Sequence, residues 1–485
     1  MGVRTGAEFL AGLQGMTPEL YMNGERVDDV TGHPRLAGGA RSIAAVFDRQ
    51  HEYAKDCLVP DPETGEAVSI SHMMPRSIDD LHRRNRGLSR ISESTAGLMG
   101  RTPDYMNMKF AAMAARACDW TGPNACNAEG AANMVTYQKR LARGDISLTH
   151  TIIQPTIDKA TDAQIVGNKV SIHKVADTAD GIVVRGARIL GTLAPYADEI
   201  AVYPAMPLPE GAEDYAVSFA IPLDTPGLKF LCRDSASDPT NAFDRPISSR
   251  FDEQDSFVMF DDVEIPRHLV FIDGRPGSVE SYNSFVGPCL MSNMTTQTTI
   301  RALNKLEFSY GLATMMAEAI GDSSPATSEM LGELLSYVEV TRNAVLAAAD
   351  HGFHDDNGVY YCDNRALTPM RSLLAAWFPR VNEIITLIGS HNLLATPTRA
   401  DLDNPALRPL VDEFLHGAKG LDAERRAAIF RLAWDYVGSS LAGRNLLYER
   451  FYLTSASRNR FMAHVRKPDR SRALELVDIV LAAGR

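Results

Sequence analysis

Three side chains able to meet at one oxygen atom lie close together in this chain. Gly100-Arg101-Thr102-Pro103-Asp104-Tyr105-Met106-Asn107 supplies a guanidinium and a phenol, and Leu148-Thr149-His150-Thr151-Ile152-Ile153-Gln154-Pro155 supplies an imidazole. A fixed positive charge and an imidazole beside a phenolic oxygen favour the phenolate, whose ring carbons ortho and para to that oxygen are more nucleophilic. Tyr105 can hold the same oxygen, or the attacking reagent, by a hydrogen bond. The chemistry this suits is hydroxylation of an aromatic ring. Taken singly, each residue has an ordinary structural reading: a surface ion pair, a half-buried tyrosine, a satisfied core histidine. The trio gains weight only from its context.

Positioning begins with Pro103-Asp104, which reads as the first turn of a helix, so that positions 101 and 105 face one side. His150 falls where helical texture gives way to β texture, a natural place for a cleft. Helices are expected at Gly6 to Leu13, Arg41 to Lys55, Ile78 to Leu98, Tyr105 to Cys118 and Ala128 to Arg143, with loop punctuation at Asn23-Gly24. Strands follow at Gln164 to Val175, Gly181 to Leu190, Glu199 to Tyr203, Tyr215 to Ile221, Leu228 to Leu231, Ser256 to Phe260 and Val263 to Ile265. Helical spacing returns with Thr299 to Ile320, the Leu331 to Val345 face, Arg371 to Ile388, and Ala423 to Ser440 opened by Asp422 as N-cap. The expected class is α+β, in three units: a helical domain over 1–145, a central antiparallel β barrel or sandwich over 146–272, and a C-terminal helical bundle over 273–485. No GxGxxG or GxxxxGK[ST] stands where a strand meets a helix, so a flavin would bind between domains.

Composition narrows the partners. The 485 residues carry 61 acidic and 49 basic side chains, a net charge of −12, with no concentrated Lys/Arg run, which argues against nucleic acid. The N-terminus shows neither a secretory h-region nor, with Gly6 where Ser or Thr is required, a myristoylation signal, and no apolar run spans a membrane. A cytoplasmic protein is expected. Six cysteines without a CxxC pair suggest neither metal nor disulfides.

One resemblance runs along nearly the whole chain. Thr5 to Glu8, Leu20 to Val27, Phe47 to Glu52, Gly100 to Asn107, Gly186 to Arg188 with Thr192 to Glu199, and Phe260 to Pro266 resemble the large, oxygenase component of the 4-hydroxyphenylacetate 3-monooxygenase family. The resemblance implies an acyl-CoA-dehydrogenase-like fold and a homotetramer formed through the C-terminal bundle. It implies a two-component monooxygenase: a separate NAD(P)H:flavin reductase makes FADH2, and this component combines it with molecular oxygen as a flavin C4a-hydroperoxide. One oxygen atom is then delivered to a phenol, usually ortho to its hydroxyl.

By matching positions, the resemblance assigns Arg101, Tyr105 and His150 to the phenolic oxygen. It assigns His150, Thr151, Ile152, Thr156, Ile157, Asp158, Lys159 and Thr192 to FAD, and, beyond the family-like Leu447 to Tyr452, Thr454, Ser455, Ala456 and Ser457 as well. This last segment departs from a Gly-Asp-Pro-like turn in many members. Ala205 and Met206 stand where some members carry a Ser-Thr pair for the substrate carboxylate, and neither can supply those hydrogen bonds. The substrate pocket therefore points toward a less polar phenol, or a tyrosine-derived unit that is free or carrier-tethered. Same-fold alternatives are an acyl-CoA dehydrogenase, which needs a carboxylate base, and a 4-hydroxybutyryl-CoA dehydratase, for whose cluster Cys118 and Cys126 are too widely spaced. A non-catalytic flavin-binding scaffold leaves the trio unexplained.

Overall fold

Two large β-sheets and a helical bundle meet around a helix that is buried from residue 103 to 113. The computed structural model describes residues 2–159, 165–284, 288–465 and 469–483. Among the longer helices, α1 (Gly6–Gln14), α2 (Ala37–Glu52), α3 (Ile78–Glu93), α4 (Pro103–Ala115) and α5 (Ala128–Arg143) come first. The strands of the two larger sheets are β1 (Glu19–Met22), β2 (Glu25–Arg26), β3 (Leu148–His150), β4 (His173–Asp177), β5 (Gly181–Arg188), β6 (Glu199–Val202), β7 (Val217–Pro222), β8 (Leu228–Cys232), β9 (Ser256–Pro266) and β10 (Val270–Asp273). The bundle follows as α6 (Pro288–Ile320), α7 (Pro325–Asp350), α8 (Asn364–Gly389), α9 (Ala423–Val437), α10 (Ser440–Phe451), α11 (Ala456–Val465) and α12 (Ser471–Ala483).

The larger sheet has the order β2-β1-β8-β9-β5-β4 and the smaller one β10-β7-β6-β3. Most pairings are antiparallel, as expected, but β1–β8 and β3–β6 are parallel. The first of these shows what the sequence reading missed. Asn23 (φ 53°) and Gly24 (φ 83°) form a hairpin turn between β1 and β2, and that hairpin adds two strands from the helical N-terminal segment to the central sheet. The expected strands Ser256 to Phe260 and Val263 to Ile265 are one strand, β9, kinked by a register shift where Asp262 takes φ 54°. Part of the expected strand Gln164 to Val175 lies outside the described residues, and the described part pairs regularly only from His173.

Helix α6 begins well before the expected Thr299. Its first turns, rich in Ser, Asn, Thr and Gln, carry no apolar period, yet Ser292, Asn293, Thr295 to Thr299 are all buried. Their hydroxyls bond back into the helix, Thr295 to Met291 O (2.6 Å), Thr296 to Ser292 O (2.8 Å) and Thr299 to Thr295 O (2.6 Å), so the methyl groups face outward. Asp422 caps α9 by accepting from Arg425 N (2.7 Å), as the sequence predicts.

The bundle encloses an ion triad. Glu449 of α10 accepts from Arg301 Nη2 (3.0 Å) and Lys305 Nζ (2.8 Å) of α6, with all three side chains buried. Burial opposes the Glu449 charge, but Arg301 and Lys305 outweigh it and hold the pKa at about 2. The stabilisation is therefore complete above the ordinary value near 4.5 and is lost as pH falls toward 2. Glu449→Gln, which strands two buried cations, is expected to cost about 3–5 kcal/mol in calorimetric unfolding at pH 7. The variant's stability should also be flatter than the wild type's in acid titrations below pH 4.5.

Candidate active site

Arg101, Tyr105 and Lys109 recur every four residues along α4 and its leading turn, which places them on one stripe. Pro103 at the first helical position sets the helix start, and every residue from 103 to 113 is buried, so Tyr105 and Lys109 are almost wholly withdrawn from water. Gly100 is required by the approach of α10, since a Cβ there would meet Tyr448 Oη at 2.1 Å.

Around this stripe the rings interlock. The Arg101 guanidinium lies 4.0 Å from the centre of the Tyr105 ring, with Tyr452 at 5.3 Å and Tyr448 at 5.5 Å. His150, on β3, is 5.5 Å from Tyr105 and, on its other side, stacks on Tyr203 at 5.5 Å. Lys109 Nζ sits 3.6 Å over the Tyr203 ring and 3.4 Å from Met294 Sδ of α6. Arg101 Nη1, His150 Nδ1, Tyr448 Oη and Tyr452 Oη are buried with no protein partner, a polar set aimed at something other than this chain.

Burial, then the charges of Arg101 and Lys109, push the His150 pKa well below its usual value, so the imidazole is neutral at pH 7. Burial and Arg101 likewise lower Lys109 well below an ordinary amine. Burial raises Tyr203, Tyr448 and Tyr452, which keeps those phenols protonated.

A charged clamp joins this cluster to the rest of the site. The Arg101 backbone N–H donates to Glu253 Oε1 (2.6 Å), whose other oxygen accepts from Arg444 Nη1 of α10 (2.8 Å). Arg444 also grips Asp255 through Nε (2.9 Å) and Nη2 (2.8 Å), and Asp255 Oδ1 accepts the Thr192 hydroxyl (2.7 Å). Burial disfavours the Asp255 carboxylate, yet Arg444, Arg233 and Thr192 together hold its pKa well below the usual range.

The expected residues divide into two sets. His150, Thr151 and Thr192 are buried beside the clamp, with Thr151 Oγ1 donating to Ile189 O (3.2 Å). Ile152 is half-buried, whereas Thr156, Ile157, Asp158 and Lys159 are exposed, Ile157 at 69%. Thr454, Ser455 and Ala456 are half-buried and Ser457 exposed, in the turn from α10 into α11 that begins two residues after Tyr452. Ala205 is half-buried and Met206 is 59% exposed.

Sequence reasoning missed Lys109, Tyr203, Tyr448, Glu253 and Arg444. Lys109 extends the four-residue spacing of Arg101 and Tyr105, a signal that was available. Glu253 and Arg444 sit in no motif, and their pairing across 191 residues exists only in three dimensions.

The architecture, helices, β domain and bundle around a buried polar cleft, is acyl-CoA-dehydrogenase-like. Models of the 4-hydroxyphenylacetate 3-hydroxylase N-terminal and C-terminal regions match residues 5–272 and 289–482. The chain belongs to that family. It is 36% identical over 452 residues to the 4-hydroxyphenylacetate 3-monooxygenase oxygenase component of Thermus thermophilus, covering 93% of this chain and 91% of the relative. A Streptomyces globisporus monooxygenase of a chlorohydroxyphenyl-bearing group on a peptidyl-carrier protein is 31% identical, covering 92% and 84%. A crystal structure of the oxygenase component of 4-hydroxyphenylacetate 3-monooxygenase, complexed with FAD and 4-hydroxyphenylacetate, superimposes with a TM-score of 0.91 at 34% identity, covering 99% of each chain.

Arg444→Met removes the cation shared by Glu253 and Asp255. It is expected to destabilise the protein by about 3–5 kcal/mol, measured by denaturant unfolding.

Proposed function

We propose that this chain, an aromatic monooxygenase by family, is the oxygenase component of a two-component system. It takes FADH2 from a separate NAD(P)H:flavin reductase and, with O2, hydroxylates a small phenol ortho to its hydroxyl. The observation carrying this reading is the convergence of Arg101, Tyr105 and a neutral His150 in one buried cluster with partnerless polar atoms.

The donor set fits FAD. Thr192 commits its hydroxyl proton to Asp255 and so keeps lone pairs for a ring N–H. Ile153 and Leu190 expose apolar side chains beside the Ile153–Ile189 bridge, a surface suited to a flat ring. His150, Thr151, Ile152, Thr192, the exposed Thr156 to Lys159 and the Thr454 to Ser457 turn would hold the cofactor. When bound, reduced FAD supplies the electrons with which O2 yields one oxygen atom for the ring.

The chain's own residues prepare the phenol. Arg101, charged at every working pH, attracts the phenolic oxygen, and Tyr105 orients it. His150, held neutral, can accept a hydrogen bond from the phenolic hydroxyl at Nδ1, and with Arg101 beside the oxygen this favours charge on the ortho carbon. Burial excludes water from the reacting atoms.

Finer parts of the reading rest on surface features and relatives. The exposed Leu474, Val477, Val480 and Leu481 of α12 support assembly through the bundle, as a homotetramer. Among the described residues no helix is long and apolar enough to cross a membrane, which supports a cytoplasmic site of action. The carrier-linked substrate of the Streptomyces relative supports a phenol that is free or carrier-tethered. The proposed division stays at 1–145, 146–272 and 273–485, with the hairpin of the first unit lent to the central sheet.

With anaerobically supplied FADH2, an O2 pulse and a phenol panel, mass spectrometry should find a catechol. His150→Ala should lower catechol formation about 100-fold and divert reducing equivalents to H2O2, and Arg101→Ala should do the same. Coupled turnover unchanged in both variants overturns the assigned roles.

A further inference from the structure

Between Arg101 and Tyr105, at the second position of α4, stands a carboxyl that the phenol chemistry above does not use. Asp104 is 3% exposed and accepts at Oδ2 from Nε2 of Gln297 (2.9 Å), a residue of α6 that is itself 2% exposed. The other oxygen of each group, Asp104 Oδ1 and Gln297 Oε1, is buried and meets no donor in bonding geometry. A carboxylate and an amide already joined to each other are thus left with one acceptor apiece. An ionised carboxylate has no proton to offer the amide oxygen, whereas a carboxylic acid has one. An acid donating to Oε1 closes a ring of two hydrogen bonds and satisfies the amide oxygen where an unmade bond is costly.

Resting on the placement of Arg101 and Tyr105 at the phenolic oxygen, we propose that Asp104 is a positioning residue that works as a neutral acid, donating from Oδ1 to Gln297 Oε1 and so fastening the first turn of α4 to α6. Arg101 lies three residues before Asp104 and Tyr105 one residue after it, so a shift of this turn moves guanidinium and phenol together. Glu253 holds the Arg101 backbone from the β domain, and the acid–amide pair holds the helix itself from the bundle. Two influences compete over the proton. Burial, the larger, pushes the carboxyl up to about 6, against Thr102, Gln297 and the backbone N–H groups of residues 104 and 105, which favour the charge. The bond that the acid gives to Oε1 acts further in the direction of burial. The charged and titratable groups on the elements packed against α4 are otherwise engaged or neutral. Arg301 of α6 is bonded to Glu449, Tyr137 of α5 to Glu199, and burial keeps His72 of the Ile70–His72 turn and His150 of β3 neutral. Arg101, on the same turn, keeps its charge. The pair's contribution to stability is complete below the ordinary carboxyl value of 3.8 and is lost as pH rises through about 6.

Asp104→Asn separates the acid from the carboxylate, because an asparagine amide gives and takes the same two bonds as the acid and has no proton to lose. Denaturant unfolding of the full chain from about pH 4 to about pH 8 should show wild type losing stability relative to Asp104→Asn as pH rises, with the loss centred at about pH 6 or above. Infrared difference spectra of the two proteins should carry a protonated-carboxyl band at the acid end that fades over the same range. With FADH2, O2 and a phenol at about pH 8, Asp104→Asn should couple at least as well as wild type. Asp104→Leu, which keeps the bulk and strands Gln297, should lower coupled catechol formation about tenfold or more. Parallel stability curves for wild type and Asp104→Asn overturn the proposal, as does absence of the carboxyl band. Loss of coupling in Asp104→Asn equal to that in Asp104→Leu overturns it as well, since the charge and not the proton is then what matters. Full coupling in Asp104→Leu overturns the positioning role. Should Asp104→Leu fail to fold, the unfolding and infrared curves of Asp104→Asn decide alone. No catechol from wild type overturns the phenol reading, while those same two curves still decide the acid–amide pair.

Discussion

Two carboxylates on either side of one glutamine, Glu253 and Asp255, hold this site together through a single arginine. Arg444 reaches both, Glu253 fixes the backbone N–H of Arg101, and Asp255 fixes the hydroxyl of Thr192. Each contact joins segments far apart in the chain, and each is buried, where an unpaired charge costs several kcal/mol. The clamp thereby converts electrostatic necessity into position. Arg101 cannot swing from the cleft without breaking a charge-assisted bond, and α10 cannot shift without stranding two carboxylates. The rings of Tyr448 and Tyr452, carried by and just after the same α10, come to rest against Arg101 for that reason.

Helix α4 shows the complementary logic. Its burial from residue 103 to 113 withdraws Tyr105 and Lys109 from water, and the neutral state of His150 follows from its own burial and the two neighbouring cations. A solvated version of the same residues would be an ordinary polar surface with a histidine titrating near its usual pKa. The chemistry thus depends as much on the helices packed over α4 as on the residues it presents. Helix α6 can serve as such a cover because its threonines satisfy their own hydroxyls within the helix.

What the sequence made legible was whatever is written locally. Pro103 announced α4, Asp422 announced α9, and the four-residue interval between Arg101 and Tyr105 announced a shared face. The Asn23-Gly24 turn was visible, but not the two strands flanking it, because strands of four and two residues carry too little alternation to declare themselves, and their partner β8 is some 200 residues away. The early turns of α6 were hidden for the opposite reason, since their side chains look solvent-facing while being buried. Ala205 and Met206 drew attention as absent hydroxyls, whereas Lys109, in the second turn of α4, went unread although it continues the four-residue spacing. The clamp left no local trace at all, since Glu253 and Arg444 acquire meaning only as a pair.

The order in which the clamp's members are synthesised has a consequence for the life of the chain. Arg101, Thr192, Glu253 and Asp255 all emerge from the ribosome before residue 444, and domains fold in that order as they emerge. Until α10 arrives, Asp255 has Arg233 and Thr192 as partners, but Glu253 lacks the cation that Arg444 brings, so the clamp cannot close. A cleft able to exclude water is therefore completed late in synthesis. An unfinished chain cannot hold a reactive oxygen species in a half-built site.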